Sequence, residues 1–155
     1  MTLQWTPDLA TGIVEIDQQH RDLYRSIAGL HSAMKGGRLH EVRQVLEFLG
    51  SYVAVHFDTE ELAMVASGYP GLAEHRAAHQ GFTDEYARRR AQVEAGPVTP
   101  SMAVELSGWL AVWLRDHVRQ LDLAMARFLR PGQRNLAAHA VRLGDFLAGQ
   151  ASRCA

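Results

Sequence analysis

The chain has one cysteine in 155 residues, Cys154, one position from its end. That excludes an internal disulfide, a thiolate metal cage and a CxxCH haem attachment. An excess of charge of either sign is also missing: sixteen basic residues against seventeen acidic ones leave a formal net charge of -1. Such a balance offers no electrostatic footprint for a phosphate backbone or an anionic lipid surface, so neither nucleic acid nor a membrane is an expected partner. Nowhere do about 18 apolar residues follow one another. The first eight residues, Met1 to Asp8, have neither a basic start nor an apolar stretch, so a cytoplasmic location is expected. Strand signals are nearly absent as well, because alternating Val, Ile and Thr runs bounded by tight-turn pairs do not occur.

What remains is ordinary globular composition, 47% apolar and 21% charged, able to bury a core within one domain. Apolar residues recur at three- and four-residue steps over long stretches, which predicts an all-α chain. Residues 1–16, with Pro7 and Gly12 and no helical period, read as an extended arm over the bundle. Asp17 is a good N-cap and predicts the start of the first helix, which Gly36-Gly37 ends. The second helix runs from Leu39 to Ser67, stopped by Gly68-Tyr69-Pro70. The third spans Leu72 to Ala95, and the fourth starts at Pro100 with Thr99 as N-cap and ends before Pro131. Short connections between long helices predict an up-down-up-down four-helix bundle over residues 1–132. Residues 133–155 read as a helical extension of that domain, with Leu136, Ala140, Leu143 and Leu147 on one face. Capping the bundle or forming a homodimer seam are the two roles open to it.

The unusual count is eight histidines. Residues four apart on a helix share a face, so two such side chains can converge on one metal ion or on neighbouring ions. His56 and Glu60 have this spacing in the second helix, and His75 and His79 repeat it in the third. The first helix offers His20, and the fourth His117 and, five residues on, Asp122. Each helix thus brings nitrogen or oxygen donors of the kind that suit iron. His31, His40 and His139 have no acid or histidine three or four residues away and are assigned to the surface. Short pairs of this sort arise often by chance, so the weight lies in the whole constellation.

That constellation, His20, His56-x-x-x-Glu60, His75-x-x-x-His79 and His117-x-x-x-x-Asp122, resembles the hemerythrin family, in particular its bacterial members. Flanking residues agree: Ile16-Asp17-x-Gln19-His20, His56-Phe57-x-x-Glu60-Glu61-x-x-Met64, Tyr69-Pro70, Phe82, and Trp113-Leu114-x-x-His117. A five-residue step turns about 140° around an ideal helix, so face-sharing alone does not place Asp122; the resemblance does. It implies two iron ions, one held by His75, His79 and His117 and the other by His20 and His56. Glu60 and Asp122 bridge them together with an oxo or hydroxo group, and dioxygen binds reversibly at the open position of the histidine-poor iron. Trp113, Leu114 and Phe82, three or four residues from ligands, are expected to line the oxygen pocket, with Tyr24 and Tyr52 as ordinary core. A carrier, store or sensor of oxygen is the leading expectation. The alternatives are a di-iron redox enzyme with peroxidase or nitric-oxide- or oxygen-reducing activity, and an iron store. Ferritin-like oxidases use Glu-x-x-His pairs, and this chain has none.

Overall fold

The computed structural model describes residues 4–130 of the chain. Its helices are α1 (Val14–Lys35), α2 (Leu39–Ser67), α3 (Leu72–Glu94), α4 (Pro100–His117) and α5 (Leu123–Leu129), with a 3-10 turn at Pro7–Leu9 and a π turn at Val118–Asp122. Among the described residues there is no strand. The predicted helix from Asn135 to Gln150, and with it His139, lies outside the described residues.

Two apolar clusters show how the helices run. One, containing Leu23, Ile27, Leu49, Val53, Phe82, Leu110 and Leu114, fills one end of the bundle. The other, containing Ile16, Met64, Met125 and Leu129 with Leu72 packed against it, fills the opposite end. Along α1 the chain passes from the second cluster to the first, along α2 from the first to the second, and along α3 back again. From α4 to α5 it returns once more. Each helix is therefore antiparallel to the one before it, as short connections require. In every helix the predicted donors fall between the two clusters, so they form a polar layer inside an otherwise apolar core.

Local chemistry sets the helix ends. After Ser67, Gly68 takes a left-handed backbone (φ 66°) and Tyr69 N–H donates to Met64 O at 3.0 Å, a Schellman stop that only a residue without Cβ enters cheaply. Thr99 caps α4 as predicted, accepting from Met102 N–H at 3.2 Å. The Arg43 guanidinium donates to Val93 O and Gly96 O and satisfies the end of α3. The start of α1 differs from expectation. The helix begins at Val14, and Asp17 acts from inside its first turn, accepting from Thr11 N–H and Thr11 Oγ1 at 2.7 Å each and from Gly12 N–H at 3.1 Å. A carboxylate reaching back for donors of the arm looks in sequence like an N-cap four residues too late.

Those bonds also shape the arm, which ends at Ile13 and contains the 3-10 turn, so it is not fully extended. Gly12 is left-handed (φ 77°) with the Arg130 guanidinium against it, where a Cβ would sit 3.2 Å from Nε. Arg130 Nε donates to Thr11 O at 2.8 Å, and Arg119 pairs with Asp8 at 2.9 Å. Trp5 packs on the larger cluster beneath the Arg21 guanidinium. Replacing Asp17 with Ala leaves buried donors without an acceptor and is expected to cost about 2 kcal/mol, seen as a fall of about 6 °C in a thermal melt. Asp17→Asn, which keeps one acceptor, should lose less.

Candidate metal site

All seven predicted donors lie within the polar layer, and none is more than 5% exposed. Helix α1 brings His20; α2, His56 and Glu60; α3, His75 and His79; and the last residue of α4, His117. Asp122 closes the π turn. There Leu123 N–H donates to Val118 O, an i to i+5 bond that widens the turn by one residue. That widening takes up the 140° which an α-helix would put between His117 and Asp122, and leaves His117 Nε2 3.0 Å from Asp122 Oδ1.

The donors form two groups that share their carboxylates. Glu60 Oε2 lies 3.2 Å from both His75 Nε2 and His79 Nε2, while Oε1 faces His56 Nε2 at 3.7 Å and His20 Nε2 at 3.9 Å. Asp122 repeats the division: Oδ1 is near His117 and, at 3.2 Å, His75, and Oδ2 is 3.1 Å from His20 Nε2. Glu60, His75, His79 and His117 could hold one cation, and His20, His56, Glu60 and Asp122 a second. For several of these atoms proximity comes without hydrogen-bond geometry, the sign that they aim at shared points and not at one another. His20 Nε2, His56 Nε2, Glu60 Oε1 and both Asp122 oxygens are buried with no hydrogen-bond partner. Stranded polar atoms are costly in a core, and a pair of cations with a taste for imidazole and carboxylate, such as iron, fits them.

The same crowding perturbs protonation. Burial and the charge of Asp122 work to raise the Glu60 pKa, yet the histidines hold it well below the carboxylate range. Asp122, raised by burial, is likewise held well below by His117, His20 and His75. Burial lowers His75 and His117, but the two carboxylates outweigh it and carry each up to about 9. His56, for which burial dominates, falls to about 4.

Two ligand candidates are held from behind. His56 Nδ1 is 2.9 Å from Gln19 Oε1, whose Nε2 donates to Thr59 Oγ1 at 3.1 Å; Thr59 in turn donates to Val55 O at 2.8 Å. His79 Nδ1 is 2.9 Å from Glu61 Oε1, and Glu61 Oε2 accepts from Arg76 Nε at 2.8 Å. In both, Nδ1–H donates outward and Nε2 keeps its lone pair for the centre. Rings complete the walls: Phe57 stacks on His79 with centroids 3.7 Å apart, and Trp113 on His117 at 4.4 Å.

A small apolar chamber of about 10 Å³ adjoins His56, and Leu114, Trp113 and Phe82 are among its lining. Leu23, Ile27, Leu49, Val53, Phe57 and Leu110 also line it. All six lie three or seven residues from a ligand candidate, so helical spacing could have found them. Tyr24 packs in the larger cluster, and Tyr52 lies at its edge with its hydroxyl donating to Asp22 at 3.0 Å; neither lines the chamber. His40 is exposed and His31 half-buried, both away from the donor layer.

Fold and donor layer together define a four-helix-bundle protein with a buried histidine-carboxylate cluster able to hold cations. The profile of the hemerythrin HHE cation binding domain matches residues 11–129. The chain belongs to the hemerythrin family. It is 36% identical over 124 residues to a bacteriohemerythrin of Stenotrophomonas maltophilia (80% of this chain, 79% of the relative) and 35% identical over 120 residues to one of Pseudomonas aeruginosa (77% and 76%). A wild-type hemerythrin crystal structure matches with a TM-score of 0.72 at 26% identity, covering 83% of this chain and 97% of that one. No helix among the described residues is long and apolar enough to cross a membrane.

Proposed function

We propose that the chain is a non-haem di-iron protein that binds dioxygen reversibly, as a carrier, store or sensor. In this reading His75, His79 and His117 hold one iron and His20 and His56 the other, with Glu60 and Asp122 each giving one oxygen to either ion. The observation that carries it is an inequality: one half of the donor set has three histidines, the other has two, and the poorer half adjoins the apolar chamber. Bound by these residues, an iron pair would supply the two electrons that reversible dioxygen binding exchanges.

The protein's own part is largely exclusion. Leu114, 3% exposed, and its apolar neighbours keep water from the side of His56. The lining contains no acid and no hydroxyl, so it has no group to deliver the further protons that reductive cleavage of dioxygen consumes. That favours release over turnover. Five neutral imidazoles and only two carboxylates add little negative charge to the ions, which disfavours high-valent iron.

The test is optical. Anaerobic di-ferrous protein should be colourless, colour in air and bleach again under argon over repeated cycles. Leu114→Ala should keep its iron and shorten the lifetime of the oxygenated form several-fold, at a stability cost of about 3 kcal/mol for the cavity left behind. Fast, reductant-driven oxygen consumption by the wild type with no oxygenated species in stopped flow would overturn the carrier reading.

A further inference from the structure

His56 and His79 are both oriented through Nδ1, but by partners of different charge. Gln19 meets His56 with a neutral amide oxygen, and Glu61 meets His79 with a carboxylate oxygen, each at 2.9 Å. The roles are settled by the groups behind them. Thr59 spends its hydroxyl proton on Val55 O and so must accept from Gln19 Nε2, which turns the amide oxygen to His56. Arg76 occupies Glu61 Oε2 and leaves Oε1 to His79. The Glu61 side chain is 25% exposed at the mouth of a cleft of about 300 Å³ between α2 and α3. It has both solvent and a guanidinium to keep it ionised. Gln19 is buried, where an unpaired charge would be expensive.

We propose that Glu61 and Gln19 are a contrasting pair of positioning residues that make the two metal positions electronically unequal. Glu61 draws the Nδ1 proton of His79 outward and gives that imidazole partial imidazolate character, so the ion bound by His75, His79 and His117 receives more electron density and is biased to the ferric state. Gln19 fixes the tautomer of His56 without adding charge, and leaves the ion beside the apolar chamber the more electron-poor of the two. The inference rests on the di-iron reading above. It adds a cause of inequality separate from the count of histidines, since it acts through residues that touch no ion.

Two complementary variants test it by spectroelectrochemical titration alongside iron counting. Glu61→Gln keeps a hydrogen-bond acceptor and removes the charge. It should retain about two irons per chain and favour the ferrous form by about tenfold, a rise of about 59 mV in a one-electron couple. Gln19→Glu adds a charge behind His56, with the Thr59 hydroxyl free to turn and donate to it, and should shift the potential the opposite way. If Glu61→Gln does not fold or load, Gln19→Glu alone decides. Iron-loaded variants with the wild-type potential would overturn the inference while leaving the di-iron reading intact. A wild type that takes up no iron pair would overturn both.

Discussion

Iron loading is expected to raise the melting temperature of this protein by about 12 °C at pH 7 over metal-stripped protein. Without metal, five imidazoles and two carboxylates face one another in a dry layer, several with no hydrogen-bond partner. A ligand present at about a thousand times its dissociation constant stabilises by about 4 kcal/mol, and a chain of this size gains about 3 °C per kcal/mol. The pH dependence separates the two forms. His75 and His117 have folded pKa values raised to about 9, so their contribution to the metal-free fold is full below about pH 6.5 and is lost as pH climbs through 9. Glu60 and Asp122 are lowered, so theirs is present above the ordinary carboxylate range and lost as pH falls. Metal-free protein should therefore melt progressively lower from pH 7 to 9.5. The iron-loaded form, whose imidazoles are held neutral by the ions, should not. Coincident calorimetric melts of the two forms would refute the account.

His75→Ala should have the largest effect of any single substitution in the donor layer. Its Nε2 lies within 3.2 Å of Glu60 Oε2, Asp122 Oδ1 and His117 Nε2, so it meets both carboxylates and a second imidazole at once. Removing it takes a donor from one ion and leaves two buried carboxylates with less compensation, a change that costs about 3–5 kcal/mol when a buried pair is broken. Iron measured by plasma emission should fall from about two per chain to one or fewer, and the melting temperature should drop to that of metal-free protein or below. His31→Ala and His40→Ala, away from the layer, should retain both irons. Equal iron loss in either control would remove the grounds for assigning His75 as a ligand.

Much of this was legible in the sequence because helices convert spacing into faces. The four- and three-residue steps that give the helices also place His56 with Glu60 and His75 with His79. The same arithmetic runs outward from the donors: Leu23 and Ile27 are three and seven residues after His20, Val53 and Leu49 three and seven before His56. The start of α1 was misplaced, because Asp17 caps donors of the arm from within the helix and a linear reading cannot tell the two geometries apart. The roles of Gln19 and Glu61 were not legible either. Each acts across a helix-helix interface on a histidine 37 or 18 positions away, and such pairing exists only once the bundle has closed. Asp122 was reached through family likeness alone, since ideal helical pitch points it elsewhere.

The π turn stores one residue more than an α-turn would between His117 and Asp122. Arg119 and Gln120 face solvent on it, Arg119 reaching Asp8. Deleting Gln120 would close the turn to ordinary pitch, and the resulting four-residue step, like that from His56 to Glu60, would keep the carboxylate on the face of His117. Inserting a residue there would exceed what the turn absorbs and rotate everything beyond by about 100°. Asp122 would swing off the centre, and the buried face of α5, Met125, Ala126 and Leu129, would lose its place against Ile16 and Met64. Within these few residues, tolerance to loss and tolerance to gain part company.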